Sequence, residues 1–140
     1  MRILSENGGP WYPAAWSTKV NFVDEANVVV GYDMQQKCCE HAAWCVLDAV
    51  ADAARIERIA DGEHAEHELE DEADWRIDPA WFSQVGRTRK DQAGGAAVFR
   101  LLNPESGAEK FLHLINCHDG YYAHGFTVKV GGQVVLEGDL

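Results

Sequence analysis

The chain has 140 residues, of which 46% are hydrophobic and 25% are charged, and 23 acidic residues outnumber 12 basic ones for a net charge of −11. This composition is typical of a globular protein with a single domain (1–140), and it excludes wholesale disorder, a collagen-like chain and a disulfide miniprotein. No apolar run approaches the ~20 residues of a membrane helix, and the N-terminus lacks the apolar core of a signal peptide, so we expect a cytoplasmic protein.

The N-terminal third predicts a β-hairpin. The first 17 residues are rich in glycine, proline and aromatic residues, which argues against a helix or a central strand there. Residues 18–23 and 28–32 are rich in β-branched and aromatic residues, and the segment between them has the composition of a turn. Residues 34–40 fit either a continuation of the second strand or a loop.

The middle of the chain predicts one helix. From Ala42 the sequence is rich in alanine, and apolar residues near helical spacing predict a helix over 46–60 that ends at Asp61-Gly62. Trp75 and Ile77 could be alternate positions of a strand. Asp78-Pro79 could instead begin a short helix, with the aspartate as its N-cap.

The C-terminal third predicts a four-stranded meander over 96–102, 110–117, 121–130 and 133–136. Turn signals lie between these segments, among them Asp119-Gly120 and Gly131-Gly132. The expected fold is therefore α+β: a mainly antiparallel sheet, made of the N-terminal hairpin and the C-terminal meander, with one helix and an acidic insertion.

Most of the negative charge lies in residues 57–79, which carry ten acidic and two basic residues. Such a chain lacks the basic surface that direct nucleic-acid binding needs, and an anionic membrane would repel it. The stretch can be a solvated segment, a site for a hard cation or a docking surface for a basic partner. The candidate partner-binding residues are Glu66, Glu68, Glu70, Asp71 and Glu72.

Cysteines and histidines form a second candidate site. Disulfides are not expected in a reducing compartment, and buried free thiols are the simplest interpretation. A zinc site is an alternative, although the sequence has no Cys-x-x-Cys pair. Its candidate ligands are Cys38, His41, Cys45, His113 and Cys117. A nucleophilic Cys38 or Cys39, with His41 or His118 as base and Asp119 as orienting acid, is a further alternative.

A third candidate is a site for a small anionic ligand. Arg87, Arg89 and Arg100 flank Gly94-Gly95, and guanidinium groups next to a glycine-rich backbone can hold a phosphate. Neighbouring tyrosines could stack on a base. The alternative is a solvated basic loop that balances the acidic residues.

Two segments, residues 31–41 and 116–126, resemble a family of short phage and bacterial proteins, classed as a domain of unknown function. That family has a Cys-Cys-Glu motif after an early strand and an Asn-Gly-Tyr-Tyr-Ser motif in a late hairpin. Here the first motif is Cys38-Cys39-Glu40 and the second is Asp119-Gly120-Tyr121-Tyr122-Ala123. Lys37 departs from the acidic residue that is usual before the double cysteine. The resemblance implies a phage-linked origin and a compact, mainly β fold, and it assigns no reaction. It makes Cys38, Cys39, Glu40, Gly120, Tyr121 and Tyr122 candidates for one shared site.

The leading functional hypothesis is a non-enzymatic, phage-type accessory protein that acts by binding. Counter-defence is one version, either by blocking a host protein or by sequestering a small nucleotide signal in the host cytoplasm. The alternative is a small metal- or cysteine-dependent enzyme. We expect no cofactor, with zinc as the exception, and no membrane or direct nucleic-acid partner. The sequence leaves a homo-oligomer open.

Overall fold

The computed structural model describes residues 1–6, 19–35, 40–62, 75–87, 93–118 and 122–140. These residues form nine strands and one helix: β1 (Arg2–Glu6), β2 (Lys19–Val23), β3 (Val28–Asp33), β4 (His41–Leu47), α1 (Ala53–Ala60), β5 (Arg76–Val85), β6 (Ala93–Leu102), β7 (Glu109–His118), β8 (Gly125–Val130) and β9 (Gln133–Asp139). The structure is thus nearly all-β with one short helix, and the prediction of an α+β fold is wrong.

The strands form two antiparallel sheets. The five-stranded sheet has the order β1-β2-β3-β8-β9, and the four-stranded sheet has the order β4-β7-β6-β5. The predicted C-terminal meander is therefore wrong as one sheet, because β8 pairs with β3 and leaves β7 in the other sheet. Turn signals mark where a strand ends, but they do not say which sheet the next strand joins.

The main core lies between the two sheets. Along β2 and β8 buried and half-buried residues alternate, as expected for strands with one face in a core. Phe22, Tyr32 and Phe126 of the five-stranded sheet lie in the same buried cluster as Phe99 and Leu112 of the four-stranded sheet. This arrangement is a β-sandwich, and the helix in the described part of the chain packs on the four-stranded sheet rather than on the outer face of the five-stranded sheet.

The helix covers the outer face of the four-stranded sheet. Its Ile56 and Ile59 pack in a second cluster with Ile115 and other residues of β4, β6 and β7. The side chain of Asp52 caps the helix by accepting a hydrogen bond from the Arg55 N–H at 2.8 Å. The predicted end at Asp61-Gly62 is confirmed, since Asp61 is the C-cap and Gly62 has a φ of +100°.

The predicted helix over 46–60 is wrong in its first half. Residues 41–47 form β4, which pairs along its whole length with β7. This pairing joins residues about seventy positions apart, and the tertiary contact overrides the local preference of an alanine-rich segment. The helix begins only at Ala53, after the cap residue.

Most of the other elements predicted from local sequence patterns are confirmed. The N-terminal hairpin is confirmed, and the buried Asp24 stabilises its turn by accepting hydrogen bonds from Ala26 N and Val28 N. The pairing of β6 with β7 and the hairpin at Gly131-Gly132 are also confirmed. Residues 76–85 form a strand, so the alternative of a helix beginning at Asp78-Pro79 is wrong. Pro79 falls within an irregularity of this edge strand, where its missing N–H is tolerated.

Candidate binding site

The two motif segments approach each other at one end of the sandwich. Glu40 lies just before β4, and His124 lies just before β8. Both side chains are almost fully buried, and Glu40 Oε1 lies 3.4 Å from His124 Nε2. Nδ1 of the same ring donates to the backbone oxygen of Asp33 at 2.7 Å. The described parts of the two motif segments therefore meet.

Hydrogen bonds around this pair join the two sheets. The Tyr32 hydroxyl, in β3, donates to the oxygen of Ile115, in β7, at 2.6 Å. Asn116, also in β7, donates through Nδ2 to the Leu140 oxygen at 2.9 Å and the Tyr122 oxygen at 3.2 Å. Buried side-chain bonds of this kind fix one arrangement of the elements they join. We call Tyr32, Glu40, Asn116 and His124 the inter-sheet clamp.

A polar groove of about 760 Å³, which we call the sheet groove, lies next to the clamp on the outer face of the five-stranded sheet. Two rows of residues run across its strands. The first row is Asn21, Gly31, Thr127 and Glu137, and the second pairs Lys19 with Asp33 and Gly125 with Asp139. Asp33 connects the groove to the clamp, because its side chain lines the groove and its backbone oxygen holds His124.

Glycine keeps the floor of this groove open. A Cβ atom at Gly31 would lie 2.9 Å from Asn21 Oδ1 and 3.2 Å from Thr127 Oγ1, so no side chain fits there without displacing its neighbours. At Gly125 a Cβ atom would lie 3.3 Å from a carboxylate oxygen of Asp139. A glycine inside a strand often marks a close approach by another group, and here two of them lie in adjacent rows.

The charge of the groove is negative. Asp33, Glu137 and Asp139 contribute three carboxylates against one ammonium from Lys19. The Asp33 carboxylate also accepts a hydrogen bond from Gln35 N at 2.9 Å, which fixes its orientation at the groove. An open floor ringed by carboxylate, amide and hydroxyl oxygens suits a ligand that carries cationic hydrogen-bond donors.

The four described zinc candidates lie along β4 and β7. Cys45 is the cross-strand partner of His113, and His41 is the partner of Cys117. His113 has both ring nitrogens engaged, since Nε2 accepts from Ala51 N at 3.0 Å and Nδ1 donates to the Phe111 oxygen at 3.0 Å. Its burial lowers the pKa of the ring, which favours the neutral form.

The two described thiols are kept protonated. Burial raises the pKa of the Cys45 thiol to about 12 and also raises that of Cys117. A thiol is a poor nucleophile and a poor metal ligand, because both roles need the thiolate. Within the described ranges, no group of three or more His, Cys, Asp and Glu side chains is placed to hold a metal ion. The fifth zinc candidate, Cys38, lies outside those ranges.

The structure does not bring the described arginines of the predicted anion site together. Arg100 pairs with Asp78, with Nη2 2.5 Å from Oδ2, and its hydrogen bonds hold the pKa of that carboxyl below its usual range. Arg87 lies 3.6 Å from Glu57 of the helix. It follows the end of β5, whose Val85 pairs with Ala96, so about six residues or ~20 Å of strand separate it from Arg100.

The remaining predicted site residues lie outside the described ranges. They are Cys38, Cys39, Arg89, Gly120 and Tyr121, together with the acidic set Glu66, Glu68, Glu70, Asp71 and Glu72. Of the six motif residues proposed as one shared site, Glu40 and Tyr122 are described, and both lie at the clamp.

No sequence motif predicts a role for the other clamp residues or for the groove. Asn116 and His124 stood in the second motif segment, and Tyr32 stood at the end of the predicted hairpin. For the groove one local signal was present, since Gly31 interrupts a run of valines in a strand.

Comparison of the chain with protein-family models, curated proteins and solved structures gave no match. The resemblance to the phage and bacterial family therefore stays a prediction. Among the described residues, no helix is long and apolar enough to cross a membrane.

Proposed function

We propose that this protein is a non-enzymatic accessory protein that binds a partner with a cationic segment, and that the sheet groove takes lysine or arginine side chains of that partner. The observation that carries the proposal is the groove itself: three carboxylates and one ammonium around a floor kept open by Gly31 and Gly125. Blocking a host protein is a hypothesis for its setting, and it rests only on the phage-linked origin that the resemblance implies.

Charge outside the groove supports the same kind of partner. The chain carries a net charge of −11, and residues 57–79 account for −8 of it. A concentrated negative charge speeds the encounter with a basic partner, whereas contacts in a fitted groove slow its release. We therefore assign the acidic stretch to association and the groove to retention of the partner.

The alternative of a cysteine- or metal-dependent enzyme receives less support. Cys45 and Cys117 are protonated by burial, and the hydrogen bonds of His113 occupy both of its nitrogens. The described residues of the clamp and groove offer charge and hydrogen bonds, which recognition of a cationic partner needs.

The test uses a nonalysine peptide as the probe and NMR of the backbone amides as the readout. The background is a protein in which Glu66, Glu68, Glu70, Asp71 and Glu72 are changed to glutamine or asparagine, so that the remaining binding reports the groove. We expect the peptide to shift the amides of Gly31, Gly125 and Thr127. Adding Asp33→Asn, Glu137→Gln and Asp139→Asn should weaken binding at least tenfold, or about 1.4 kcal/mol.

A matched control removes three acids elsewhere, through Glu25→Gln, Asp61→Asn and Glu105→Gln, and should leave the groove shifts in place. Restoring the five acids of the stretch should speed association and steepen its salt dependence. Peptide binding that leaves the groove amides unshifted, or that survives the groove substitutions, would refute the proposal.

A further inference from the structure

A second groove, of about 780 Å³, lies beside the helix on the side of the four-stranded sheet. Residues 46–52 line one side of it, at the end of β4 and the loop that follows. Arg55 and Arg58 of α1 line another side, and Lys110 at the start of β7 completes it. We call this the cation groove.

Positive charge is scarce in this chain, and the cation groove concentrates it. The described ranges contain nine lysines and arginines, and three of these nine line this one groove. Two acids also lie there. Asp52 is committed to the helix cap, and Asp48 is 89% exposed at the rim. Lys110 Nζ lies 3.3 Å from Asp48 Oδ1, an exposed contact that a bound anion can replace.

Arg55 gives the groove its anchor. Arg55 is a half-buried residue, and no carboxylate of the described residues lies within 4.0 Å of its guanidinium. A partly desolvated arginine is normally paired, because its charge loses contact with water. A planar guanidinium held in this way is suited to a phosphate group.

The uncharged residues that line the cation groove indicate which kind of anion it can bind. Leu47, Ala49 and Val50 line the groove beside the charged residues, and Val50 is 39% exposed. The lining of the cation groove is mostly polar, with these apolar side chains as its smaller part, and its volume is in the range of pockets for small organic ligands. We infer that the cation groove is a binding site for a small organic phosphate, with the phosphate on Arg55 and Lys110 and the organic part against Val50.

This site differs from the anion site predicted around Arg87, Arg89 and Arg100. Both described arginines of that set are paired with acids on other elements. The inference is also independent of the proposed function, since the cation groove and the sheet groove share no residue.

The probes are adenosine 5′-monophosphate, adenosine and inorganic phosphate, added at up to millimolar concentrations and followed by thermal shift and calorimetry. We expect the nucleotide to bind most tightly, phosphate more weakly, and adenosine least. Arg55→Gln should weaken nucleotide binding at least tenfold, while the matched control Arg2→Gln, at an exposed arginine of β1, should not change it.

The variant Asp48→Asn should change nucleotide affinity in the opposite direction to Arg55→Gln. It removes the carboxylate that competes for Lys110, so nucleotide affinity should rise about threefold, a modest gain suited to an exposed pair. Unchanged melting temperatures of the unliganded variants verify that they fold. The inference fails if the nucleotide does not bind, if Arg55→Gln binds it as the wild type does, or if phosphate and nucleotide bind equally well.

Discussion

Replacing Asn116 by aspartate tests the inter-sheet clamp, because only the amide nitrogen of Asn116 makes its described hydrogen bonds. Nδ2 donates to two backbone oxygens, those of Leu140 and Tyr122. A carboxylate at the same position would direct a negative charge at two acceptors in a fully buried site. The folded variant therefore holds this carboxyl protonated, so that it still donates one of the two bonds.

The structure sets the size of the effect. Keeping an aspartate with an unfolded-state pKa of ~3.9 protonated at about pH 7 costs about 4 kcal/mol. The lost hydrogen bond adds about 1 kcal/mol. For 140 residues, a loss of about 5 kcal/mol corresponds to a drop in melting temperature of about 17 °C. At about pH 4.5, keeping the carboxyl protonated costs only about 1 kcal/mol. The loss of stability relative to wild type should therefore fall to about 2 kcal/mol at that pH.

The assay is urea unfolding followed by tryptophan fluorescence at these two pH values. Asn103→Asp is the matched control, since Asn103 uses only Oδ1, which accepts from Glu105 N and Ser106 N. Aspartate keeps that acceptor, so this variant should lose less than ~0.5 kcal/mol, as surface substitutions usually do. A loss at Asn116→Asp that is as small as at the control, or equal at both pH values, would refute the assigned clamp geometry.

Two further predictions concern the buried groups of β4 and β7. Since burial lowers the pKa of His113 below its ordinary 6.5, the unfolded chain binds more protons than the folded one just below that pH. The stabilising contribution is therefore full above pH 6.5 and declines as the pH falls. His113→Gln should flatten this acid loss in urea unfolding, and His41→Gln, at an exposed histidine, should not. The raised pKa of Cys45, about 12, predicts that iodoacetamide labels this thiol at mildly alkaline pH only after unfolding, and rapid labelling in the folded state would contradict its burial.

The parts of the fold predicted correctly are those in which neighbours in sequence decide the structure. The hairpin of β2 and β3 and the hairpin of β8 and β9 each join strands through a short turn. β4 could not be found in this way, because its partner β7 lies far along the chain and its alanines favour a helix in isolation. The placement of β8 beside β3 has the same origin, since no local pattern selects one sheet over the other.

The clamp shows why the site was predicted only in part. Glu40 and Tyr122 were singled out by a motif resemblance, and both lie where the two segments meet. Tyr32 and His124 come together at this site only because β3 pairs with β8, and no local sequence pattern predicts that pairing. The sheet groove has the same dependence, because its carboxylates come from β3 and β9 with β8 between them.

The two grooves carry opposite charge and lie on different sheets, which bears on how they would act together. The sheet groove faces outward from the five-stranded sheet, whereas the cation groove lies beside the helix on the four-stranded sheet. The grooves lie outside two sheets that pack ~10 Å apart, so their separation exceeds the Debye length of ~10 Å at 0.1 M salt. Exposed charges at such a separation are largely screened. A cationic segment in one groove and an organic phosphate in the other should therefore bind independently, unless the clamp transmits a change between the sheets. The clamp joins β7 to β3 through Tyr32, and to Tyr122 and Leu140 through Asn116, so any coupling between the two sites should weaken when Asn116 is replaced.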